Sequence, residues 1–120
     1  MSAKTKKLTE LLKSLEASSE IDGAALVSSK GQLMATALHT DVDEKAIAAM
    51  AAALTAIGTR VGITLEAGPP KNIVIEGVSK IVLVRSLDKV SLIATAPAEA
   101  KIGMIDFELD KVTEDIKAIL

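Results

Sequence analysis

The spacing of apolar positions changes along the chain, and each change marks an element. From Lys4 to Ala17, Leu8, Leu11, Leu12 and Leu15 recur at three- and four-residue steps, with Lys6, Lys7, Glu10 and Lys13 between them. That is the pattern of an amphipathic helix, and Ser18-Ser19-Glu20 ends it. Ile21–Ser28 and Gln32–His39 are short apolar runs joined by Ser28-Ser29-Lys30-Gly31, where glycine supplies the positive φ that closes a hairpin. Beyond a central helix, Gly68-Pro69-Pro70 can neither continue a helix nor pair inside a sheet. Asn72–Glu76, Ser79–Ser86 and Val90–Ala96 then read as a meander, turned at Gly77 and at Leu87-Asp88-Lys89. Ile81-Val82-Leu83-Val84 and Leu92-Ile93-Ala94 are uninterrupted, so those strands are expected to be buried on both faces, with helices on both sides of the sheet. Pro97 stops the last strand, and Ala98–Leu120 is predicted as a closing helix with the stripe Ile102, Ile105, Leu109, Val112, Ile116 and Ile119.

The central helix is the unusual one. Ala46–Thr59 carries no charge; Asp41, Asp43, Glu44 and Lys45 precede it and Arg60 follows. Alanine favours helix, Thr40 and Asp41 are candidate caps, and Asp43 and Glu44 suit the positive end of the helix dipole. Ile47, Met50, Leu54, Ile57 and Val61 form one stripe, expected to face the chain's own sheet. Ala46, Ala49, Ala53 and Ala56 line one flank and Ala48, Ala52, Thr55 and Thr59 the other, smooth enough for another backbone to approach closely. The competing reading is a central helix in a crowded monomer core. Crossing a membrane takes about 20 apolar residues, and this run is shorter and flanked by charge.

Composition narrows the function classes. The chain has 120 residues, 49% of them hydrophobic and 25% charged, and fits one domain over 1–120. A net charge of −2 with interspersed signs gives no polyanion-binding surface, and Phe107 as the only aromatic leaves no base-stacking platform, so no nucleic acid partner is expected. The absence of cysteine excludes disulfides and thiolate chemistry. The N-terminus lacks the apolar core of a signal peptide, so a cytoplasmic protein without membrane insertion is the expectation.

Catalytic and cofactor signals are lacking. His39 is the single histidine, and Asp41 beside it could support a base but has no nucleophile motif to serve. One histidine with scattered carboxylates is not a metal set. Gly58, Gly62 and Gly68 lack the Lys-Ser/Thr ending of a phosphate loop. The chain is therefore expected to be no enzyme and to hold no cofactor. A small-molecule sensor is the alternative; it needs convergent polar groups, and Ser79, Ser91 and Thr95 are the interior candidates. Arg60, in line with Ala49, Ala53 and Ala56, either pairs with a partner carboxylate or is solvated. What remains is surface. Asn72–Glu76, with Ile73, Val74 and Ile75, reads as an edge strand through which two copies could join antiparallel, bringing their alanine helices side by side.

Ile21-Asp22-Gly23-Ala24-Ala25-Leu26-Val27 followed by Lys30-Gly31-Gln32-Leu33, the Ala/Gly-rich second helix, the meander with Ile81-Val82-Leu83-Val84 and Val90-Ser91-Leu92, and Ile102-Gly103-Met104 together resemble the Roadblock family of dynein light-chain-type proteins over nearly the whole chain. The resemblance implies an α+β fold of three layers, with a five-stranded antiparallel sheet in order 2-1-5-4-3. The central helix would lie on one face and both terminal helices on the other. It also implies a homodimer through strand three and helix two, and a non-enzymatic role in regulating or scaffolding a small Ras-like GTPase. Carried over here, the dimer or partner interface is Ala46, Ala48, Ala49, Ala52, Ala53, Thr55, Ala56, Thr59, Arg60, Ile73, Val74 and Ile75. The low polarity of that surface departs from the family pattern.

Overall fold

The computed structural model describes residues 2–39 and 41–120. The elements are α1 (Ala3–Ser18), β1 (Gly23–Ser28), β2 (Leu33–Thr36), α2 (Glu44–Thr64), β3 (Asn72–Glu76), β4 (Lys80–Ser86), β5 (Val90–Pro97) and α3 (Ile102–Ile119). The strands form one antiparallel sheet in the order β2-β1-β5-β4-β3, as the resemblance implied. Gly31 closes the first hairpin at φ 81°.

Alternation along the strands divides the sheet into two unequal sides. Ala24 and Leu26 of β1, Ile81 and Leu83 of β4, and Leu92, Ala94 and Ala96 of β5 point into one large core with Leu8, Leu12 and Leu15 of α1 and Ile105, Leu109, Val112 and Ile116 of α3. Burying each Leu or Ile there is worth about 1.5–3 kcal/mol, so this side holds the fold together. The other side is thin. Val27, Ala48 and Ala51 form a small buried cluster there, with Leu33 and Ile93 packed against it.

Several sequence expectations shift at the element ends. The cap of α2 is Asp43, whose Oδ1 accepts from the amides of Lys45 and Ala46 at 3.1 and 3.2 Å. Asp41 lies outside the helix, and Thr40 falls outside the described residues. The helix also runs on to Thr64, giving 21 residues. By length and composition alone it could cross a bilayer, contrary to the sequence expectation, yet it lies as the third layer against the sheet. α3 starts at Ile102 rather than Ala98, because Pro97–Ala100 makes a turn and Glu20 of the α1–β1 loop accepts from the Lys101 amide at 3.2 Å.

One core position is imperfect. Thr113 of α3 is buried, and its Oγ1 has no hydrogen-bond partner. A buried hydroxyl without a partner costs about 1–3 kcal/mol. Thr113→Val keeps the shape and removes the orphan, so it is expected to raise unfolding stability by about 1 kcal/mol. A urea midpoint that stays in place or falls would show that the hydroxyl is satisfied in solution.

Candidate interaction surface

Small residues decide how α2 sits. Ala48 and Ala51 are buried, and Thr55 spans the layer by donating to the Ala51 carbonyl and sharing a 3.3 Å hydrogen bond with Ser91 of β5. Further along, a Cβ on Gly58 would stand 2.5 Å from Cδ1 of Ile73, and one on Gly62 would stand 2.2 Å from the Gly68 carbonyl oxygen. The helix lies so close that only alanine and glycine fit beneath much of it.

This orientation overturns the expected one. Met50, Ile57 and Val61 are 57%, 61% and 52% exposed, and Ile47 and Leu54 are only half-buried. The stripe predicted to face inward therefore does not. The flank of Ala48, Ala52, Thr55 and Thr59 turns toward the sheet instead, with Ala48 fully buried, and so closed to a partner, and the other three half-buried. Of the opposite flank, Ala49, Ala53 and Ala56 are exposed and Ala46 is half-buried. Arg60 is exposed beside them and forms no ion pair among the described residues.

The neighbours of α2 fix which side is which. Gly31 in the β1–β2 hairpin approaches Ala49 and Ala52, whereas Gly58 faces Ile73 of β3. Leu54 and Val61 stand four before and three after Gly58, on the same row, with Met50 and Ile57 just outside it. The large apolar side chains thus overhang one of the two edges of the sheet. That edge is β3, which pairs with β4 alone. Ile73 is half-buried against Gly58, while Val74 and Ile75 are exposed. Stripe and edge make one continuous apolar surface, and Ala49, Ala53, Ala56 and Arg60 form a second, smoother one on the outer side of the helix.

The polar candidates are engaged elsewhere. Ser91 bonds Thr55, Thr95 donates to Asp22 at 2.6 Å, and Ser79 is exposed in the β3–β4 turn, so the three do not converge on a cavity. The hollow beside α2, about 420 Å³, is bounded by Ile57, Arg60, Val61, Thr64 and Leu65. His39 is exposed with Nε2 2.6 Å from the Glu16 carboxylate, and its partner is not Asp41.

A polar network that the sequence did not announce lies behind β3. Arg85 of β4 is 3% exposed. It donates from Nε to Asn72 at 2.9 Å, from Nη1 to Asp110 at 2.7 Å and from Nη2 to Asp106. Asn72 also donates to Asp106 at 2.6 Å, and Lys71 stands 3.6 Å from both aspartates. The signals were an arginine closing an apolar strand and two aspartates four apart on one helix.

The bond from Asn72 draws the Asp106 carboxyl below its ordinary pKa; burial opposes this, and Arg85 and Lys71 reinforce it. Burial pushes Asp22 up, but hydrogen bonds from Lys80 and Thr95 and the charge of Lys80 outweigh it, and the net shift is downward. Both folded values lie below the unfolded ones, so the stabilisation is complete above about pH 4 and is lost as pH falls through the depressed values. Stability measured by urea titration is therefore expected to drop below pH 4, with a smaller drop in Asp106→Asn than in the parent. An equal drop in both would remove Asp106 from the account.

Residues 7–96 match the sequence pattern of the Roadblock/LC7 domain family. No curated protein matches the sequence. Among solved structures, the chain is similar to Myxococcus xanthus MglB, at 16% identity and TM-score 0.88, covering 100% of this chain and 95% of that one. It is also similar to a Roadblock/LC7 domain from Streptomyces avermitilis, at 20% identity and TM-score 0.83, covering 92% and 94%. The gliding protein MglB of Thermus thermophilus gives 16% identity and TM-score 0.84, covering 99% and 92%. At these identities the structures share the fold.

Proposed function

Because the chain belongs to the Roadblock/LC7 domain family, we propose that it is a non-enzymatic interaction module, a homodimer that binds and regulates or scaffolds a small Ras-like GTPase. One observation carries the reading: the α2 side of the sheet is left open. Met50, Ile57 and Val61 stand in water beside an unpaired strand edge bearing Val74 and Ile75. A lone chain gains nothing from that arrangement, while a second copy covers both features at once.

The two surfaces of α2 then divide the work. The bulky stripe and β3 meet the twin. The outer line of Ala49, Ala53 and Ala56, with Arg60 at its end, stays open on both copies as a smooth platform for the GTPase. Its action is positional: a platform that fits one arrangement of the GTPase switch loops better than another shifts the nucleotide cycle by that difference in affinity.

Ala53→Arg places a long cation in the middle of the platform and removes no core contact. It is expected to abolish binding of the purified Ras-like GTPase from the same organism, loaded with GDP or a GTP analogue, while fold and dimer survive. A variant that dimerises and binds the GTPase as tightly as the parent would sink the platform assignment.

A further inference from the structure

We infer that the seam between α1 and α3, across the sheet from α2, is a second docking surface, and that its occupant is a basic amphipathic helix of a partner protein. The inward stripe of α3 is turned wholly to the core: Ile105, Leu109, Val112 and Ile116 are buried. Two further large apolar residues of the same helix are not. Met104 is 55% and Phe107 54% exposed, and Phe107 is the only aromatic of the chain. The two stand one turn apart and so share a patch. Methionine and aromatic side chains in water are the kind that interface cores collect.

The seam has room beside them. A hollow of about 360 Å³ lies between Ala17, Ser18 and Glu20 on one side and Met104, Ile105 and Glu108 on the other. A second, of about 290 Å³, shares Ser18 and Glu108 with it and runs on past Ser14 and Lys111 to Asp115. Ser14, Ala17 and Ser18 are small and exposed, so the α1 wall is low. From Met104 to Asp115 the groove follows α3 for about 16 Å at 1.5 Å per residue, the length of a three-turn helix. A partner helix satisfies its own backbone. An extended segment would lay its amides against side chains, because α1 and α3 stand between the seam and the sheet.

Charge decides the kind of helix. The carboxylates along the two hollows are Glu20, Glu108 and Asp115, and Lys111 is the one cation there among the described residues. That lysine is already engaged: its Nζ stands 4.0 Å from Glu108 and 4.7 Å above the centre of the Phe107 ring. Glu20, Asp115 and, further out on α3, Glu114 form no ion pair among the described residues. Asp106 and Asp110 belong to Arg85 and Lys71 and take no part. Met104 and Phe107 are thus rimmed by anions that lack cations. Lysines or arginines flanking an aliphatic stripe match both halves of this surface: the carboxylates take the cations, and Met104 and Phe107 take the stripe. An acidic helix is repelled by the same rim.

The seam and α2 lie on opposite sides of the sheet, so variants of each report separately. The probe is a fluorescein-labelled peptide of leucine and lysine at helical spacing, read by fluorescence anisotropy on the full chain. The same peptide with glutamate for every lysine is its counterpart. The parent is expected to bind the lysine peptide and not the glutamate one. Met104→Ser with Phe107→Ser is expected to weaken binding at least about tenfold, as the loss of an interface anchor does. Glu108→Lys with Asp115→Lys is expected to exchange the preference, binding the glutamate peptide and losing the lysine one. Ala53→Arg, on α2, is expected to leave the affinity unchanged, so that failure of the GTPase platform and failure of the seam give different results. A parent that does not bind the lysine peptide overturns the inference. So does a Met104 and Phe107 double variant that binds like the parent, a charge-reversed variant that keeps the parent's preference, or a loss of peptide binding in Ala53→Arg.

Discussion

Ile57→Glu is expected to turn the self-associated chain into a monomer while leaving its far-UV spectrum unchanged. In the single chain Ile57 is 61% exposed, so the substitution removes little from the core. In the proposed dimer the same side chain is buried twice, once from each copy. Each lost burial is worth about 1.5 kcal/mol or more, and the pair therefore about 3 kcal/mol, close to a hundredfold in the dissociation constant. The new carboxylate adds a desolvation cost, so a hundredfold is the lower bound. Sedimentation equilibrium over a range of concentrations measures this directly. If Ile57→Glu associates as tightly as the parent, the stripe is not the contact. If it unfolds, the stripe belongs to the core after all, and the exposed side of α2 has been read wrongly.

The second large effect is an asymmetry within the Arg85 network. Its cation is buried, while Asp106 and Asp110 stand at the surface with side chains 32% and 52% exposed. Removing the arginine leaves carboxylates that water can solvate, and methionine fills much of the space. Removing both carboxylates leaves a guanidinium in the interior with Asn72 as its one side-chain partner. Breaking a buried pair in that sense costs about 3–5 kcal/mol, whereas replacing the buried ion by a well-packed apolar residue is often close to neutral. Asp106→Ala with Asp110→Ala is therefore expected to lose about 3–5 kcal/mol, and Arg85→Met less than about 2 kcal/mol. Urea denaturation of both variants decides it, and the reverse order would mean that the arginine is hydrated in solution. Since Arg85 also holds Asn72, the double variant is expected to loosen β3 first, seen as faster amide exchange along that strand.

How well each element could be read from the chain follows from the contrast in its side chains. In α1 and α3, leucines and isoleucines alternate with lysines and carboxylates, so period and inward face are both unmistakable. Leu8, Leu12 and Leu15 are buried as that contrast demands, as are Ile105, Leu109, Val112 and Ile116. β4 and β5 were legible for a different reason, as uninterrupted apolar runs between turn residues. In α2 the contrast is missing. With no charge between Ala46 and Thr59, bulk is the one feature of the sequence that points to an inward face. The structure does the opposite because the large groups of this interface come from elsewhere, from Val27, Ile93 and Ile73, while Gly58 lies too close to Ile73 for bulk of the helix's own.

The site was half legible. β3 as a free edge could be argued from Pro69-Pro70 and the strand's shortness, and its bounds Asn72–Glu76 stand as read. The division of the α2 surface could not, because it depends on the lateral position of the helix. Nor could the partners of Arg85, which lie 13, 21 and 25 residues away and meet only when the edge strand and the last helix are both in place.

By itself, then, the sequence determined the order of the elements and the core beneath the terminal helices, since each depends on residue type and local period. Only the tertiary structure decided which face of α2 is covered and which is left open. An alanine-rich helix has no preferred inward face of its own; the sheet against which it packs selects one.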